Sequence, residues 1–296
     1  MVVVNWNRPD DTAECLSSLA ALDYPDLFTI LVDNGSTDGS VERLRSLFPE
    51  CTYISNTRNL GFAEGNNVGI RHALSAGADY VLLLNNDATI DRDTLTLLVQ
   101  VAQSDPSIGI VGPKIYLADR PRVIWFGGGK VDEKLGLPIH LGWMQEDTGE
   151  EESIADVDYI CGCALLAKAE LFPRLGLLDS DYFLLFEDTD FCARARDGGY
   201  RVVLVPQASV YHKASSSFGG DASPQYLYYF HRNNLIYVKK NMRGPGRWRV
   251  YLEVLRRQWK FVRGLHRKGG PQTSLRRRAV ERAVADFVLG RWGERK

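Results

Sequence analysis

The sequence is poor in cysteine, with five in 296 residues, and an odd number at these spacings offers no disulfide framework. Cys161-Gly162-Cys163 has no second pair at zinc-site spacing, so no structural zinc is expected either. Long apolar runs are missing as well: none approaches the roughly 18 to 20 residues that a membrane-spanning helix needs. The first residues, Met1-Val2-Val3-Val4-Asn5-Trp6-Asn7, lack the basic region of a secretory signal. These absences point to the reducing cytosol and to a chain that is soluble or peripheral to a membrane. Two phosphate-binding signatures are absent too. There is no Lys before Ser or Thr after paired glycines, and no Gly-x-Gly-x-x-Gly. No internal repeat or low-complexity tract is present.

What is present is enough apolar material for a substantial core, at 45% of residues. The net charge of -1 conceals a division. From Lys239 to Lys296 there are 18 Lys and Arg against 4 Asp and Glu, whereas residues 1–238 carry 18 against 33. An acidic body with a basic tail suggests an anionic partner, either a membrane surface or a nucleic acid.

Apolar runs alternate with helical patterns along the first half. Strands are expected at 2–4, 29–32, 51–54 and 80–84, and the helices between them carry Leu16 and Leu19, Val41 and Leu44, and a Gly- and Asn-rich start leading to Leu74. Asp10 or Asp11 is expected to cap the first of these helices. Each connection is too long for a hairpin, which predicts an α/β fold with a parallel, doubly wound sheet. A helix at 91–103 and a strand at 108–111 follow. Residues 120–156 are the least readable and predict excursions and a flexible hairpin. Order resumes at 157–160 and 163–167. A helix then starts at Glu187, a strand occupies 202–205, Val210-Tyr211-His212-Lys213 closes this block, and helices follow at 225–242, 248–262 and 273–289. Ser223-Pro224 is the expected start of the first of these three. In the second, Trp248, Tyr251, Leu252, Leu255, Trp259 and Val262 form one stripe, with Arg249, Arg256, Arg257, Lys260 and Arg263 mostly elsewhere, as in a helix lying on a membrane surface.

Three groups of residues carry chemistry. Asp33-Asn34-Gly35-Ser36 follows a buried strand, where open α/β sheets bind nucleotides and where Asp33 can accept from a ribose or base donor. Asn85-Asn86-Asp87 ends the strand expected at the sheet centre. A hard divalent cation takes one or two carboxylates plus substrate phosphates, which suits Asp87. Glu187 and Asp188 follow an apolar run that would raise a carboxylate's pKa and favour a general base. His212 becomes a second metal ligand when combined with Asp87. Taken singly, each group is an ordinary turn, strand end or helix start.

In their order and spacing, Val3-Val4-Asn5-Trp6-Asn7, Val32-Asp33-Asn34-Gly35-Ser36, Asn59-Leu60-Gly61-Phe62, Leu83-Leu84-Asn85-Asn86-Asp87, Phe186-Glu187-Asp188-Thr189-Asp190 and Tyr211-His212 resemble the successive motifs of family 2 glycosyltransferases, most closely the bacterial rhamnosyltransferase-like branch. The resemblance covers about residues 1–240. It implies a GT-A fold, a nucleotide-diphospho-sugar donor, Mn²⁺ or Mg²⁺, and inversion at the anomeric carbon. Residues 1–220 would be the catalytic domain, with 1–115 holding the nucleotide sugar and 116–220 the acceptor and the base. Residues 221–296 would be a basic, amphipathic helical extension.

Carried over residue by residue, Asn5, Asn7, Asp33, Asn34, Ser36, Asn59, Gly61, Phe62, Asn66 and Asn86 would bind the nucleotide sugar. Asp87 would be the last position of the DxD metal motif, with Asn85 in place of its first carboxylate and His212 as a further ligand. Asp188, with Glu187 beside it, would be the catalytic base. The Gln-x-x-Arg-Trp motif of processive synthases is absent, which implies transfer of one sugar per encounter. The acceptor would be a glycan or lipid-linked glycan in cell-surface polysaccharide synthesis, and dTDP-rhamnose is the first donor to consider. The location would be cytoplasmic, with the C-terminal helices peripheral on the anionic inner face of the membrane. No nucleic acid is expected, and the oligomeric state is open. A sugar-phosphate nucleotidyltransferase and a non-catalytic nucleic-acid or scaffold protein are the alternatives.

Overall fold

A computed structural model of the chain describes residues 1–149, 153–214, 223–244, 246–268 and 270–295. Glu150 to Glu152, in the expected flexible loop, and the expected domain boundary at 220/221 lie outside the described residues.

The first half forms as its alternating pattern predicts. Strands β1 (Val2–Asn5), β2 (Ile30–Asp33), β3 (Thr52–Ser55) and β4 (Tyr80–Asn85) run parallel in the order 3-2-1-4. Helices α1 (Pro9–Ala20), α2 (Ser40–Leu47) and α3 (Gly61–Ser75) connect them. Strands β1, β2 and β4 are apolar on both faces because helices cover both, the requirement of a parallel sheet. Helix α1 starts differently from expectation. Asp10 and Asp11 lie inside its first turn, and Arg8 is the N-cap without a side-chain cap. Pro9 supplies the start instead, because its fixed φ suits the first helical position.

A short strand, β5 (Ala88–Ile90), leads to α4 (Thr94–Ser104) and then to β6, which extends from Ile108 to Leu117. The segment that is unreadable in sequence is a β excursion: β7 (Arg120–Phe126) returns along β6, and β8 (Gly129–Asp132) pairs with β9 (Leu137–His140) as a separate hairpin. After β10 (Ala155–Asp156), strand β11 (Ala164–Lys168) inserts antiparallel between β4 and β6. Helices α5 (Leu171–Leu175) and α6 (Glu187–Asp197) follow. The last strand, β12 (Arg201–His212), extends well past the expected 202–205; an irregularity between Val205 and Ser209 absorbs Pro206. It runs parallel to β6. The sheet therefore reads β12-β6-β11-β4-β1-β2-β3 through its centre, and β11 alone among these seven strands opposes the others.

Three helices close the chain: α7 (Pro224–Asn241), α8 (Arg247–Lys268) and α9 (Pro271–Val288). Ser223 caps α7 as expected, accepting from the Tyr226 amide. Helix α8 exposes most of the expected stripe and buries a second apolar face. Val250, Val254 and Gln258 are buried against α7 and α9, while Trp248, Leu252, Leu255 and Trp259 face outward. Both faces are apolar, so periodicity alone does not select the inner one.

Gly69 sits where α3 crosses β1, and a Cβ there would overlap the side chain of Val2 and crowd Val32. Overpacking of a tight core contact typically costs about 1–3 kcal/mol. Gly69→Ala is expected to lower the melting temperature by several degrees, read by thermal denaturation followed by circular dichroism.

Candidate active site

The carboxyl ends of the central strands open into one cleft of about 1380 Å³. Asn7, Asn34, Asn59, Gly61, Phe62, Asn66, Asn85, Asn86, Asp87, Glu187, Asp188 and His212, all singled out in the sequence, line it. Asn5, Asp33 and Ser36 do not. They form a cluster behind the wall, with Asn5 and Asp33 buried and Ser36 half-buried, in which Asn5 Nδ2 and Ser36 Oγ donate to Asp33 Oδ1 at 2.8 and 2.6 Å, and the Ser36 amide donates to Oδ2 at 2.9 Å. Thr12 Oγ1 links this cluster forward, donating to Asn5 Oδ1 and accepting from Asn86 Nδ2. Asn34 shapes the next part of the wall: its amide donates to Asn59 Oδ1 and the Gly61 carbonyl, and its carbonyl accepts from the Leu60 amide. Gly61 needs its φ of 83°, and a Cβ there would run into Phe183.

Pairing of β12 with β5 brings His212 to Asp87. The Lys213 amide donates to the Asp87 carbonyl at 3.0 Å, and His212 Nε2 lies 3.0 Å from Asp87 Oδ1. Asn85 Nδ2 is 3.4 Å from the same ring nitrogen. Asn85 Oδ1 is buried without a hydrogen-bond partner, although it is a strong acceptor beside a carboxylate. An orphaned amide oxygen, a carboxylate and an imidazole in one place suit a divalent cation whose shell a substrate phosphate completes. Asp87, His212 and Asn85 are thus the residues that could hold it. Among the described residues no cluster of three or more His, Cys, Asp and Glu side chains forms a metal cage. Trp125 packs edge-on against His212, with ring centroids 4.5 Å apart, and fixes the imidazole plane.

Across the cleft, α6 presents its carboxylates. Asp188 is half-buried; its Oδ2 accepts from the Gly162 amide at 2.7 Å and its Oδ1 from the Thr189 amide at 2.6 Å. Glu187 is buried, and its Oε2 has no partner. Burial raises its carboxyl well above the ordinary value of 4.5, and the charge of Asp188 adds to the effect. The Tyr159 hydroxyl is also buried, unpartnered and on the cleft wall. Gly162, Trp125, Trp143, Tyr159 and Tyr229 are site residues that the sequence reading misses. Gly162 lies between two cysteines that invite only a metal reading, and the two tryptophans fall in the segment without periodicity.

The raised Glu187 carboxyl has a sign. The folded state keeps a proton that the unfolded chain releases, so stability is lost as pH rises from about 4.5 toward the raised folded value. Glu187→Gln should therefore gain in melting temperature relative to the wild type between about pH 5 and about pH 8. Differential scanning fluorimetry at both values checks this, and a constant difference would contradict the neutral Glu187.

The comparisons with known proteins agree with this geometry. Residues 1–164 match the family model described as glycosyl transferase family 2. An N-acetylglucosaminyl-diphospho-decaprenol L-rhamnosyltransferase of Mycobacterium tuberculosis is 26% identical over 292 residues, covering 90% of this chain and 94% of the relative. A dTDP-rhamnosyl transferase of Shigella flexneri is 24% identical over 247 residues, covering 81% and 79%. Among solved structures, a mannosyltransferase of Pyrobaculum calidifontis in complex with GDP-Man and Mn²⁺ superposes with a TM-score of 0.60 at 18% identity, over 98% of this chain and 86% of that one. The chain belongs to glycosyl transferase family 2 and is a glycosyltransferase with a GT-A fold.

Proposed function

We propose that the protein moves one sugar from a nucleotide-diphospho-sugar to a glycan or lipid-linked glycan acceptor, with inversion and with the help of Mn²⁺ or Mg²⁺. The observation that carries this reading is the placement of Asp87, His212 and Asn85 on one wall of a single cleft and Asp188 on the other. dTDP-rhamnose is the first donor to test, which the names of the rhamnosyl relatives support.

In this mechanism the donor lies along the carboxyl ends of β1, β2 and β4, with its sugar toward α6. Asn59 offers its side-chain amide for the nucleotide; Asn34 and Asn66, whose amides are held by Asn59, Gly61 and Phe62, shape the wall, and Asp33, Asn5 and Ser36 brace it from behind. Asp188 takes the proton from the acceptor hydroxyl, which attacks the anomeric carbon from the side opposite the leaving diphosphate. The Gly162 and Thr189 amides hold Asp188 by hydrogen bonds to its oxygens, so the carboxylate is aimed before the acceptor arrives. The divalent cation, when bound at Asp87, His212 and Asn85, supplies charge neutralisation for the departing diphosphate. Trp125 and Tyr159 help exclude water from the reacting groups.

The acceptor reading draws on α8. Trp248 is 66% exposed and Trp259 58%, with Leu252 and Leu255 between them and Arg249, Arg256, Lys260 and Arg263 alongside. No helix among the described residues is long and apolar enough to cross a membrane. An exposed Trp and Leu stripe flanked by cations fits the surface of an anionic bilayer, each cation contributing roughly 1 kcal/mol near it. A lipid-diphosphate acceptor would be met at that surface, on the cytoplasmic side.

Asp188→Asn is expected to lower turnover by about 10²- to 10⁴-fold. Nucleotide-diphosphate release from dTDP-rhamnose with Mn²⁺ measures this, and isothermal titration with dTDP should find donor-site binding retained. Near wild-type turnover would remove Asp188 from the role of base. Sedimentation with anionic and neutral liposomes tests the membrane contact. Binding should need the anionic lipid, weaken with salt and be lost in Trp248→Ala/Trp259→Ala; salt-independent or absent binding would contradict it.

A further inference from the structure

We propose that Arg232 and Asn233 of α7 are positioning residues for transfer: they hold the backbone entering α6 in a strained conformation that aims Asp188. The segment 182–186 directly precedes Glu187 and Asp188. Three of its residues, none of them glycine, have left-handed backbone, with φ of 62° at Phe183, 69° at Leu185 and 77° at Phe186. Non-glycine residues avoid this region, and it persists only where surrounding contacts over-determine it.

Those contacts come from two adjacent side chains with 0% exposure. Asn233 Nδ2 faces three carbonyls of the segment, those of Tyr182 at 2.8 Å, Leu184 at 2.7 Å and Leu185 at 2.9 Å. Arg232 Nη2 donates to the carbonyls of Asp181 and Tyr182, both at 3.0 Å, and its Nη1 donates to the Gly293 carbonyl at 2.7 Å. Its Nε donates to Asn233 Oδ1 at 3.0 Å, which orients the asparagine amide toward the segment. Tyr228 and Tyr229 lie against the guanidinium, with centroids 5.3 and 5.0 Å away. A buried guanidinium is costly unless its donors are used. Here they are used, two of the bonds going to the carbonyls of Asp181 and Tyr182 at the start of the strained entry.

The grip extends to both sides of the catalytic pair. Lys240 forms ion pairs with Asp179 and Asp181, and Asn241 Nδ2 donates to Asp190 Oδ1 at 2.7 Å. Of the two remaining carbonyls of the segment, Phe183 O accepts from the Phe62 amide at 2.7 Å and the Ala63 amide at 3.3 Å, at the start of α3, and Phe186 O accepts from the Asp190 amide at 2.8 Å within α6. The strained segment thus ties the donor wall, α6 and α7 together. Neither Arg232 nor Asn233 lines the cleft, so they act through the segment and not on substrate.

This inference rests on the reading of Asp188 as the base. The test compares the full-length wild type with Asn233→Ala and with Leu98→Ala, a core truncation on α4 remote from the cleft. Asn233→Ala should lower kcat by about 30-fold or more, since displacements of about 1 Å can cost 10²-fold. The donor KM and the dTDP dissociation constant should stay within about threefold of wild type. Hydrogen exchange should accelerate at residues 182–188, while Leu98→Ala should leave kcat per folded molecule unchanged. If Asn233→Ala does not fold, Arg232→Lys takes its place under the same criteria, because one ammonium cannot span the carbonyls of Asp181, Tyr182 and Gly293. A kcat within threefold of wild type, or an equal loss in Leu98→Ala at matched melting temperature, would overturn the proposal. An active Asp188→Asn would defeat the base assignment separately, and the exchange and kcat data on Asn233→Ala would still decide whether α7 positions the segment.

Discussion

The antiparallel pairing of β11 with β4 is the constraint on which the site depends. Its last bond, from the Asn85 amide to the Cys163 carbonyl at 2.9 Å, places residues 163 and 85 side by side, with Gly162 next to Cys163. Gly162 then offers its amide to Asp188, and Asn85 stands two residues before Asp87. Asp188 and the group of Asn85, Asp87 and His212 therefore line one cleft because two strands pair in one register. A slip of one residue would turn Leu82 and Leu84 to the opposite face, so burial on both sides of the sheet holds the register.

Half of the eight buried, unpaired side-chain polar atoms among the described residues belong to residues of the cleft where chemistry is proposed. Among the described residues, Asn85 Oδ1, Tyr159 Oη, Glu187 Oε2 and His212 Nδ1 are buried without hydrogen-bond partners, and all four side chains line the cleft. Each such group costs on the order of 1–3 kcal/mol in a folded protein. Backbone strain is concentrated nearby, at Phe183, Leu185 and Phe186. Stability elsewhere offsets both, through a core that runs from Val2 and Ile30 to Val203 and Val210. Preorganised dipoles and acceptors of this kind are how a site stabilises developing charge without reorganising during the reaction.

The C-terminal helices divide two tasks between faces. The inner side of α7 carries Arg232, Asn233 and Asn234, whose donors go to backbone carbonyls of residues 181–185 and 135–136. The outer side of α8 carries the exposed tryptophans and much of the positive charge. In the proposed reading, α7 braces the site and the basic tail that follows it offers a surface to a partner.

The order of strands and helices in the first half is legible because each element announces itself locally, by a buried apolar run or a helical stripe ended by Pro or Gly. Asp87, Asp188 and His212 are legible for a related reason: polar residues that end an apolar strand or start a helix stand out against what precedes them. What the chain alone determines is this inventory of elements and of reactive groups. Tertiary structure decides which of them meet. His212 reaches Asp87 across 125 positions, Gly162 reaches Asp188 across 26, and Asn233 reaches Leu184 across 49. It also decides that Asp33 braces the wall from behind while Asn34 lines it, and that Val254 points inward and Trp259 outward. Strand register and helix rotation come from long-range burial and hydrogen bonding, which leave no periodic mark on the residues they bring together.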